Sequence, residues 1–255
     1  MRYITIGSGT AIPQSDRSAP CHLIHVGDQT IVVDLGPGAI WGLVRCGRVR
    51  LQDVGLLLFT HLHMDHCADL APLLFALRSR QLERTEPLHI LGPPGLREHH
   101  RGLQTIWEHR VDPDGFDLAV DEWAGRGFSW RGCSINAAPT AHSIPNLAWR
   151  IDAEDSRDSG IIITGDGQST DRLIDLAGSA DHILVAECGA SPGEFVEGHM
   201  NPGQAGELAL KCGSKKLVLN HINPDAEVSA ILKEAMSRYD GKVIVAEDGM
   251  EIVID

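Results

Sequence analysis

Four potential metal ligands lie within six residues of this 255-residue chain. The motif His61-Leu62-His63-Met64-Asp65-His66 directly follows an apolar, strand-like run over residues 54–60. Neutral imidazole binds a borderline metal such as Zn²⁺ at about 2.0–2.1 Å, and a carboxylate adds charge neutralisation. His61 and His63 can point the same way from an extended turn, whereas Asp65 and His66 can diverge if a helix begins there. The spacing therefore predicts two ligand pairs and a two-metal hydrolytic centre.

Three further ligand-type residues each follow or end a short apolar or β-branched run. They are His142, Asp166 and His221. A dinuclear site needs such partners, because its ions lie about 3.5–4 Å apart and share a bridging group. Any single one of the 13 histidines is better explained as part of a polar turn or cap. The prediction of a metal site therefore depends on the complete ordered set.

The order of these seven residues resembles the metallo-β-lactamase superfamily: an HxHxDH motif, a lone His, a Gly-Asp pair after a strand and a final His. The resemblance covers nearly the whole chain. It implies an α/β fold, an αββα sandwich of two mixed β-sheets flanked by helices, and two divalent metal ions with a bridging hydroxide as the nucleophile. The implied ligands are His61, His63 and His142 for one metal, Asp65, His66 and His221 for the other, and Asp166 as the bridge. Zinc is the default, although Mn²⁺, Fe²⁺ and Co²⁺ accept the same donors.

Two segments resemble the ribonuclease Z-like phosphodiesterase branch of that superfamily. One is residues 7–13 near Arg17, and the other is Ala186-Glu187-Cys188 followed by Gly198-His199-Met200-Asn201. In that branch a Glu and a His form a proton-relay pair, which implies that Glu187 and His199 join Asp65 as catalytic residues. An imidazole held by a carboxylate can protonate a leaving alkoxide near neutral pH. The alternatives are a carboxylate paired with a surface cation and a solvent-facing histidine.

Two other residues have open roles. Arg17 could contact a substrate phosphate, but an arginine in a polar turn is more often solvated. Asp34 matches a superfamily position near the metals and could orient a ligand imidazole. A plain cap at the end of a strand explains Asp34 nearly as well.

A small phosphodiester is the expected substrate, with sulfate or phosphonate esters as possible secondary ones. Ribonuclease Z carries a long tRNA-binding arm between the lone His and the bridging Asp, whereas His142 and Asp166 are only 24 positions apart. The formal net charge of −13 also opposes a large polyanion such as tRNA. Five arginines could still form a basic patch, or they could cover a solvated helix face: Arg78, Arg80, Arg84, Arg97 and Arg101.

The main alternative reactions are cleavage of a lactone or β-lactam carbonyl and ribonuclease Z-like tRNA 3′-end processing. A lactonase would more often use a tyrosine near the metals, and the chain has only Tyr3 and Tyr239. Neither tyrosine lies in a predicted site segment. A non-catalytic metal protein is a third alternative, which the complete ligand set opposes.

Patterns of apolar residues predict a single domain over residues 1–255, with halves of about 1–135 and 136–255. The predicted helices are 38–46, 67–80, 95–107 and 204–212, the last with Asn201 as its cap and Pro202 in its first turn. The predicted strands are 3–6, 21–26, 30–34, 56–59, 88–91, 134–138, 147–152, 160–164, 182–187, 216–220, 242–246 and 251–254.

Composition and targeting signals favour a cytoplasmic enzyme without a membrane partner. Hydrophobic residues make up 43% and charged residues 22%, close to the globular norm. No signal peptide is apparent, and no apolar run approaches the roughly 20 residues of a membrane helix. The six cysteines form no CxxC pair, and Cys67 is expected to pack beneath the site. Exposed parts of the apolar stretch 70–77 could support a homodimer.

Overall fold

The computed structural model describes residues 1–154, 159–178 and 181–254. Fourteen strands are assigned in that part of the chain. They are β1 (Arg2–Gly7), β2 (Cys21–Val26), β3 (Gln29–Val33), β4 (Leu56–Leu58), β5 (Leu88–Gly92), β6 (Leu118–Glu122), β7 (Phe128–Trp130), β8 (Cys133–Pro139), β9 (Leu147–Ala153), β10 (Ser159–Ile163), β11 (Asp181–Glu187), β12 (Lys216–Asn220), β13 (Lys242–Val245) and β14 (Glu251–Val253).

Seven α-helices connect or follow these strands in the described residues. They are α1 (Ala39–Cys46), α2 (Met64–Cys67), α3 (Leu70–Leu77), α4 (Leu96–Trp107), α5 (Asp171–Ala177), α6 (Pro202–Lys211) and α7 (Val228–Met236). Short 3-10 turns span Leu51–Asp53 and Glu108–Val111. In that part of the chain no helix is both long and apolar enough to cross a membrane.

The strands form two seven-stranded sheets, each with four neighbouring parallel strands and three further strands that pair antiparallel. The first has the order β14-β1-β2-β3-β4-β5-β6 and the second β13-β12-β11-β10-β9-β8-β7. Strands β3 to β6 are parallel, as are β10 to β13, whereas the other neighbours are antiparallel. Buried parallel strands need apolar side chains on both faces, which explains runs such as Leu56-Leu57-Leu58 and Ile161-Ile162-Ile163.

Three apolar clusters hold the layers together. One lies between the sheets and includes Tyr3, Trp149 and Ile161. A second packs α1, α3 and α4 residues against the first sheet, and a third packs α5, α6 and α7 residues against the second. This is the predicted αββα sandwich. Because ligands in such sheets bind beyond the carboxyl ends of the parallel strands, the loops after β4, β10, β11 and β12 form the relevant edge.

Most predicted elements are confirmed, with shifts of one or two residues at their ends. The helix predicted over 67–80 is instead two helices, α2 and α3, joined through Ala68 and Asp69. Strands β6 and β7 were not predicted, because each is short and only partly buried, so its hydrophobic pattern is weak. The capping box of Asn201 and Gln204, with Pro202 at the first position, begins α6 as predicted.

Sheet membership changes between β6 and β7, not at residue 135, and β14 returns to the first sheet beside β1. The segment between His142 and Asp166 contains strands β9 and β10. Strand β9 ends at Ala153 and β10 begins at Ser159. Most of the described residues between His142 and Asp166 therefore lie in this pair of adjacent antiparallel strands.

Candidate metal centre

The HxHxDH motif begins three residues after β4, at the end of a fully buried strand. His61 and His63 lie in an extended segment, and α2 begins at Met64. The side chains of Asp65 and His66 therefore point in directions different from those of His61 and His63. The start of a helix at this point is the predicted condition for separating the two ligand pairs. His142 lies beyond β8, Asp166 beyond β10, and His221 directly after β12.

Three imidazole nitrogens converge on one side of the centre. Nδ1 of His63 lies 3.1 Å from Nε2 of His61 and 3.2 Å from Nε2 of His142. Asp166 completes this group, since its Oδ2 lies 3.7 Å from Nε2 of His61. One potential ligand atom from each of the four residues lies within 4.8 Å of the others. Such a group of nitrogens and one carboxylate matches the donors that zinc accepts.

A second group shares Asp166 with the first. Nε2 of His66 lies 3.2 Å from Oδ1 of Asp166, and Nε2 of His221 lies 3.4 Å from Oδ2 of Asp65. The two carboxylate oxygens of Asp166 thus face both groups. The structure brings all seven predicted ligands together in two overlapping clusters.

The residues present fit a cation by an independent criterion. Nε2 of His66 and Oδ1 of Asp166 are buried and have no hydrogen-bond partner among the described residues. Buried polar side-chain atoms are usually bonded, and leaving one unpaired costs about 1–3 kcal/mol. A shared divalent cation would satisfy both atoms. The cluster is therefore suited to binding divalent metal.

Asp34 orients two of the candidate ligands, His66 directly and His61 through Thr60. The sequence left this role open. Oδ2 of Asp34 accepts a hydrogen bond from Nδ1 of His66 at 2.7 Å and another from the Thr60 hydroxyl at 2.7 Å. That hydroxyl in turn lies 3.0 Å from Nδ1 of His61 and accepts its proton. Both rings are thereby held with Nε2 free for a metal, which is the usual arrangement behind ligand histidines. Asp34 adopts a left-handed conformation, with φ of 60°.

His142 is oriented in a similar way by the chain itself. Its Nδ1 donates to the backbone oxygen of Gly198 at 2.8 Å, so Nε2 is the nitrogen that faces His63 and the candidate site. Sequence patterns missed both Gly198 and Thr60 as contributors. Thr60 carries a recognisable signal, a hydroxyl residue between a buried strand and the HxHxDH motif. The Gly198 contact joins segments 56 residues apart, so no local pattern could indicate it.

Replacing Asp34 with Asn should weaken zinc binding by roughly 10–100-fold, the usual cost of losing a carboxylate behind a ligand histidine. The amide keeps the shape of the side chain but removes the charge that favours the Nδ1 proton of His66. Competition with a chromogenic chelator measures the affinity. Asp69→Asn is the matched control. The Asp69 carboxylate accepts a hydrogen bond from the backbone nitrogen of Ile40 at 3.1 Å, so the substitution removes a nearby charge that does not contact a ligand histidine. Equal losses in the two variants would contradict the orienting role.

Electrostatics at the centre favour ligation. Burial and repulsion from His66 lower the pKa of His61 to about 2, so this ring is neutral and can donate a lone pair. Burial opposes ionisation of Asp65, but its contacts with His221 and His66 outweigh burial and lower its pKa to about 2. Burial also disfavours a charge on His66, yet Asp166 and Asp34 raise its pKa well above the usual value. The field that holds a proton on His66 would equally favour a cation in its place.

Glu187 and His199 lie beside this centre. Glu187 is buried, and its carboxylate accepts hydrogen bonds from three backbone nitrogens, those of Gly167, Gly189 and Met200, at 3.1, 2.7 and 2.8 Å. It is therefore an interior group and not the partner of a surface cation. Nδ1 of His199 lies 3.3 Å from Oε1 of Glu187, without the alignment of a hydrogen bond. Contact with Glu187 outweighs burial and raises the pKa of His199, which favours its protonated form.

Glycines permit two close approaches around the site. A Cβ atom on Gly36 would lie 1.9 Å from the backbone oxygen of Asp65, so only glycine lets the loop after β3 reach the motif. A Cβ atom on Gly189 would lie 3.0 Å from Nδ1 of both His199 and His221. These positions hold the backbone near the ligands without displacing them.

The remaining candidates lie outside the ligand cluster. Arg17 donates to the Ser8 hydroxyl at 2.8 Å and to the backbone oxygen of Ala246, so it braces the N-terminal loop. The buried Tyr3 hydroxyl contacts Nδ1 of His22 at 2.9 Å, and Tyr239 donates to the backbone oxygen of Ser214. Cys67 is buried in the apolar cluster under the first sheet.

Three of the five arginines proposed for a basic patch are engaged locally. Arg84 donates to the backbone oxygens of Gln52 and Pro87, at 2.8 and 2.7 Å. Arg78 donates to the backbone oxygen of Asp112 at 2.6 Å, and Arg97 pairs with Asp121. Each of these three guanidinium groups therefore has an acceptor within the protein.

Comparison with known proteins identifies the family. A family model described as the β-lactamase superfamily domain matches residues 29–222, more than half of the chain. The chain belongs to the β-lactamase superfamily. Among superfamily relatives, ribonuclease Z of Mycobacterium bovis is 29% identical over 273 aligned residues, which cover 95% of this chain and 94% of that protein. The probable metallo-hydrolase YhfI of Bacillus subtilis is 26% identical over 259 residues, covering 98% of each chain.

Solved structures within the superfamily show the same fold. The crystal structure of YhfI from Bacillus subtilis matches with a TM-score of 0.84 and 24% identity, covering 98% of each chain. Human tRNase Z, short form, matches with a TM-score of 0.81 and 23% identity over the full length of both chains. The predicted resemblance to the ribonuclease Z-like branch is confirmed, and the chain is a metallo-hydrolase of this superfamily.

Proposed function

We propose that this protein is a phosphodiesterase for small phosphodiesters that uses two divalent metal ions, zinc by default. The observation that carries the proposal is the pair of Glu187 and His199 placed against the ligand cluster, with Nδ1 of His199 4.0 Å from Oδ2 of Asp166. Breaking a P–O bond produces an alkoxide that leaves more easily when it is protonated. A protonated imidazole next to the reacting group provides that proton.

The seven ligand residues would hold the metals as His61, His63 and His142 on one side and Asp65, His66 and His221 on the other, with Asp166 between them. Bound metals would act as Lewis acids toward the phosphoryl group and lower the pKa of water. Glu187 keeps His199 charged and in place, because three backbone nitrogens fix its own carboxylate. With Nδ1 facing Glu187, Nε2 of His199 is the nitrogen that gives its proton to the leaving oxygen.

The alternatives have less support. Carbonyl cleavage assisted by a tyrosine is disfavoured, because both tyrosines are bonded elsewhere in the fold. Processing of tRNA, which the name of human tRNase Z suggests, is opposed by the net charge of −13 and by the local engagement of Arg78, Arg84 and Arg97. Sulfate and phosphonate esters share the tetrahedral centre of a phosphodiester, so we extend the proposal to them as secondary substrates.

Turnover of three substrate classes tests the proposal. We expect the metal-loaded protein to cleave an activated aryl phosphodiester with a kcat/KM at least about tenfold above that for a lactone or a chromogenic β-lactam, since a pair of cations suits the attacking and leaving oxygens of a charged phosphoryl group better than a neutral carbonyl. Purified Asp166→Asn protein, prepared identically, controls for contaminating hydrolases. A higher kcat/KM on the lactone or the β-lactam would refute the phosphodiesterase assignment and leave the metal cluster intact.

A further inference from the structure

A large cavity adjoins the metal centre on the side of the first ligand group. Its volume is about 860 Å³, and His142 forms part of its wall. Pockets that bind small organic ligands usually measure about 300–1,000 Å³. A phosphate group alone needs far less space. The cavity is therefore large enough to hold a substantial organic group attached to a phosphate at the metals.

The most distinctive wall residue of this cavity is Trp123. Its backbone nitrogen donates to the backbone oxygen of Gly92 at 2.8 Å, which fixes the chain directly after β6. Its ring meets Trp149 edge-on, with centroids 5.6 Å apart and an angle of 78°. Nε1 of Trp149 donates to the backbone oxygen of Phe59 at 2.9 Å, two positions before His61. The Trp123 ring is thus held in a defined position relative to the metal ligands.

The rest of the wall is rigid and carries polar edges. Four prolines line the cavity, and their fixed φ angles limit its rearrangement: Pro93, Pro94, Pro139 and Pro145. The side chain of Asn136 is exposed at the same cavity, and Arg172 also lines it. A preformed wall with one partly exposed aromatic ring and a few hydrogen-bonding groups suits a flat heteroaromatic group with polar edges.

We propose that this cavity binds the base of a nucleoside phosphodiester against Trp123 while the phosphate occupies the metal centre. The inference rests on the proposed function and narrows its substrate class to small nucleotide derivatives. A single nucleoside suits the acidic chain better than a polynucleotide, because polynucleotide affinity depends on many Lys and Arg contacts. Stacking on the Trp123 ring would favour ligands that carry a base over ligands that lack one. It would not discriminate strongly among bases, since every base has an aromatic face.

Calorimetry on the zinc-loaded protein tests the pocket with two ligands that differ only in the base. AMP carries an adenine on the ribose phosphate, whereas ribose 5-phosphate lacks it and is the reference ligand for each variant. We expect AMP to bind the wild-type protein at least ten times more tightly. Trp123→Leu keeps an apolar side chain without an aromatic face and should reduce the ratio to about twofold or less. Trp123→Phe keeps an aromatic ring and should retain most of the affinity ratio between AMP and ribose 5-phosphate.

Three results separate this inference from the proposed function. Equal affinities for AMP and ribose 5-phosphate in the wild-type protein would overturn the nucleobase pocket, whether or not the Leu variant folds. An undiminished ratio in Trp123→Leu would overturn the role of Trp123. Selective AMP binding by a protein that cleaves no phosphodiester would support the pocket and refute the proposed phosphodiesterase.

Discussion

Replacing Asp166 with Ala should leave fewer than two zinc ions per chain and reduce diester turnover by about a thousandfold or more. Asp166 is buried, and its two carboxylate oxygens face both ligand groups. In the proposed dinuclear centre, its loss removes one ligand from each metal and the negative charge between them. Metal ions contribute several kcal/mol of charge stabilisation to such reactions, and each 1.36 kcal/mol corresponds to a tenfold change in rate. Elemental analysis of the purified variant and kcat on an aryl phosphodiester measure the two effects.

Asp166→Asn is the isosteric companion to this variant. It keeps the side-chain volume, so that a cavity cannot explain a loss of activity. We expect the Asn variant to resemble the Ala variant in metal content while retaining a cooperative thermal transition. A protein that kept two tightly bound zinc ions and most of its turnover after either substitution would show that Asp166 does not bridge the site.

Replacing His199 with Ala should lower turnover by roughly 10²–10⁴-fold on diesters with poor leaving groups, which depend on protonation of the leaving oxygen. Diesters with an activated aryl leaving group should lose only a few-fold, because the phenolate leaves without a proton. A plot of log kcat against leaving-group pKa should therefore become steeper in the variant. The expectation follows from the contact between His199 and Glu187, which favours the protonated ring.

Glu187→Gln should shift the same plot in the same direction, since it removes the charge that keeps His199 protonated. His109→Ala is the matched control, because His109 is an exposed histidine in the turn Glu108–Val111 and should leave the slope unchanged. Equal losses on activated and poor leaving groups in His199→Ala would instead indicate a role in binding or structure, and the proposed relay would have to be abandoned.

The sequence predicted which residues the structure brings together in the candidate metal centre, because these residues follow buried strands. The apolar runs before His61, Asp166 and His221 end at one edge of the parallel strands, and a sandwich fold brings that edge together. The start of α2 inside the motif could also be anticipated, since Asp65 and His66 must diverge from His61 and His63.

Other features depend on contacts between distant segments. From the sequence alone, Asp34 could be either a strand-end cap or a group that orients a ligand imidazole. Its hydrogen bonds to Thr60 and His66 favour the second role, and they form only because the fold brings the loop after β3 against the HxHxDH motif. The position of Trp123 could not be predicted either. It directly follows β6, and the weak hydrophobic pattern of that strand gave no sign of it in the sequence. Its place in the cavity wall depends on packing against Trp149, from the other sheet.

The most direct test of the dinuclear phosphodiesterase is a zinc titration of metal-free protein that records bound metal and diester turnover together. The two overlapping ligand groups predict two tightly bound ions per chain. Turnover should stay low through the first equivalent and rise to its maximum with the second. Full turnover after a single equivalent, or turnover that persists in metal-free protein, would contradict a reaction that depends on both metals.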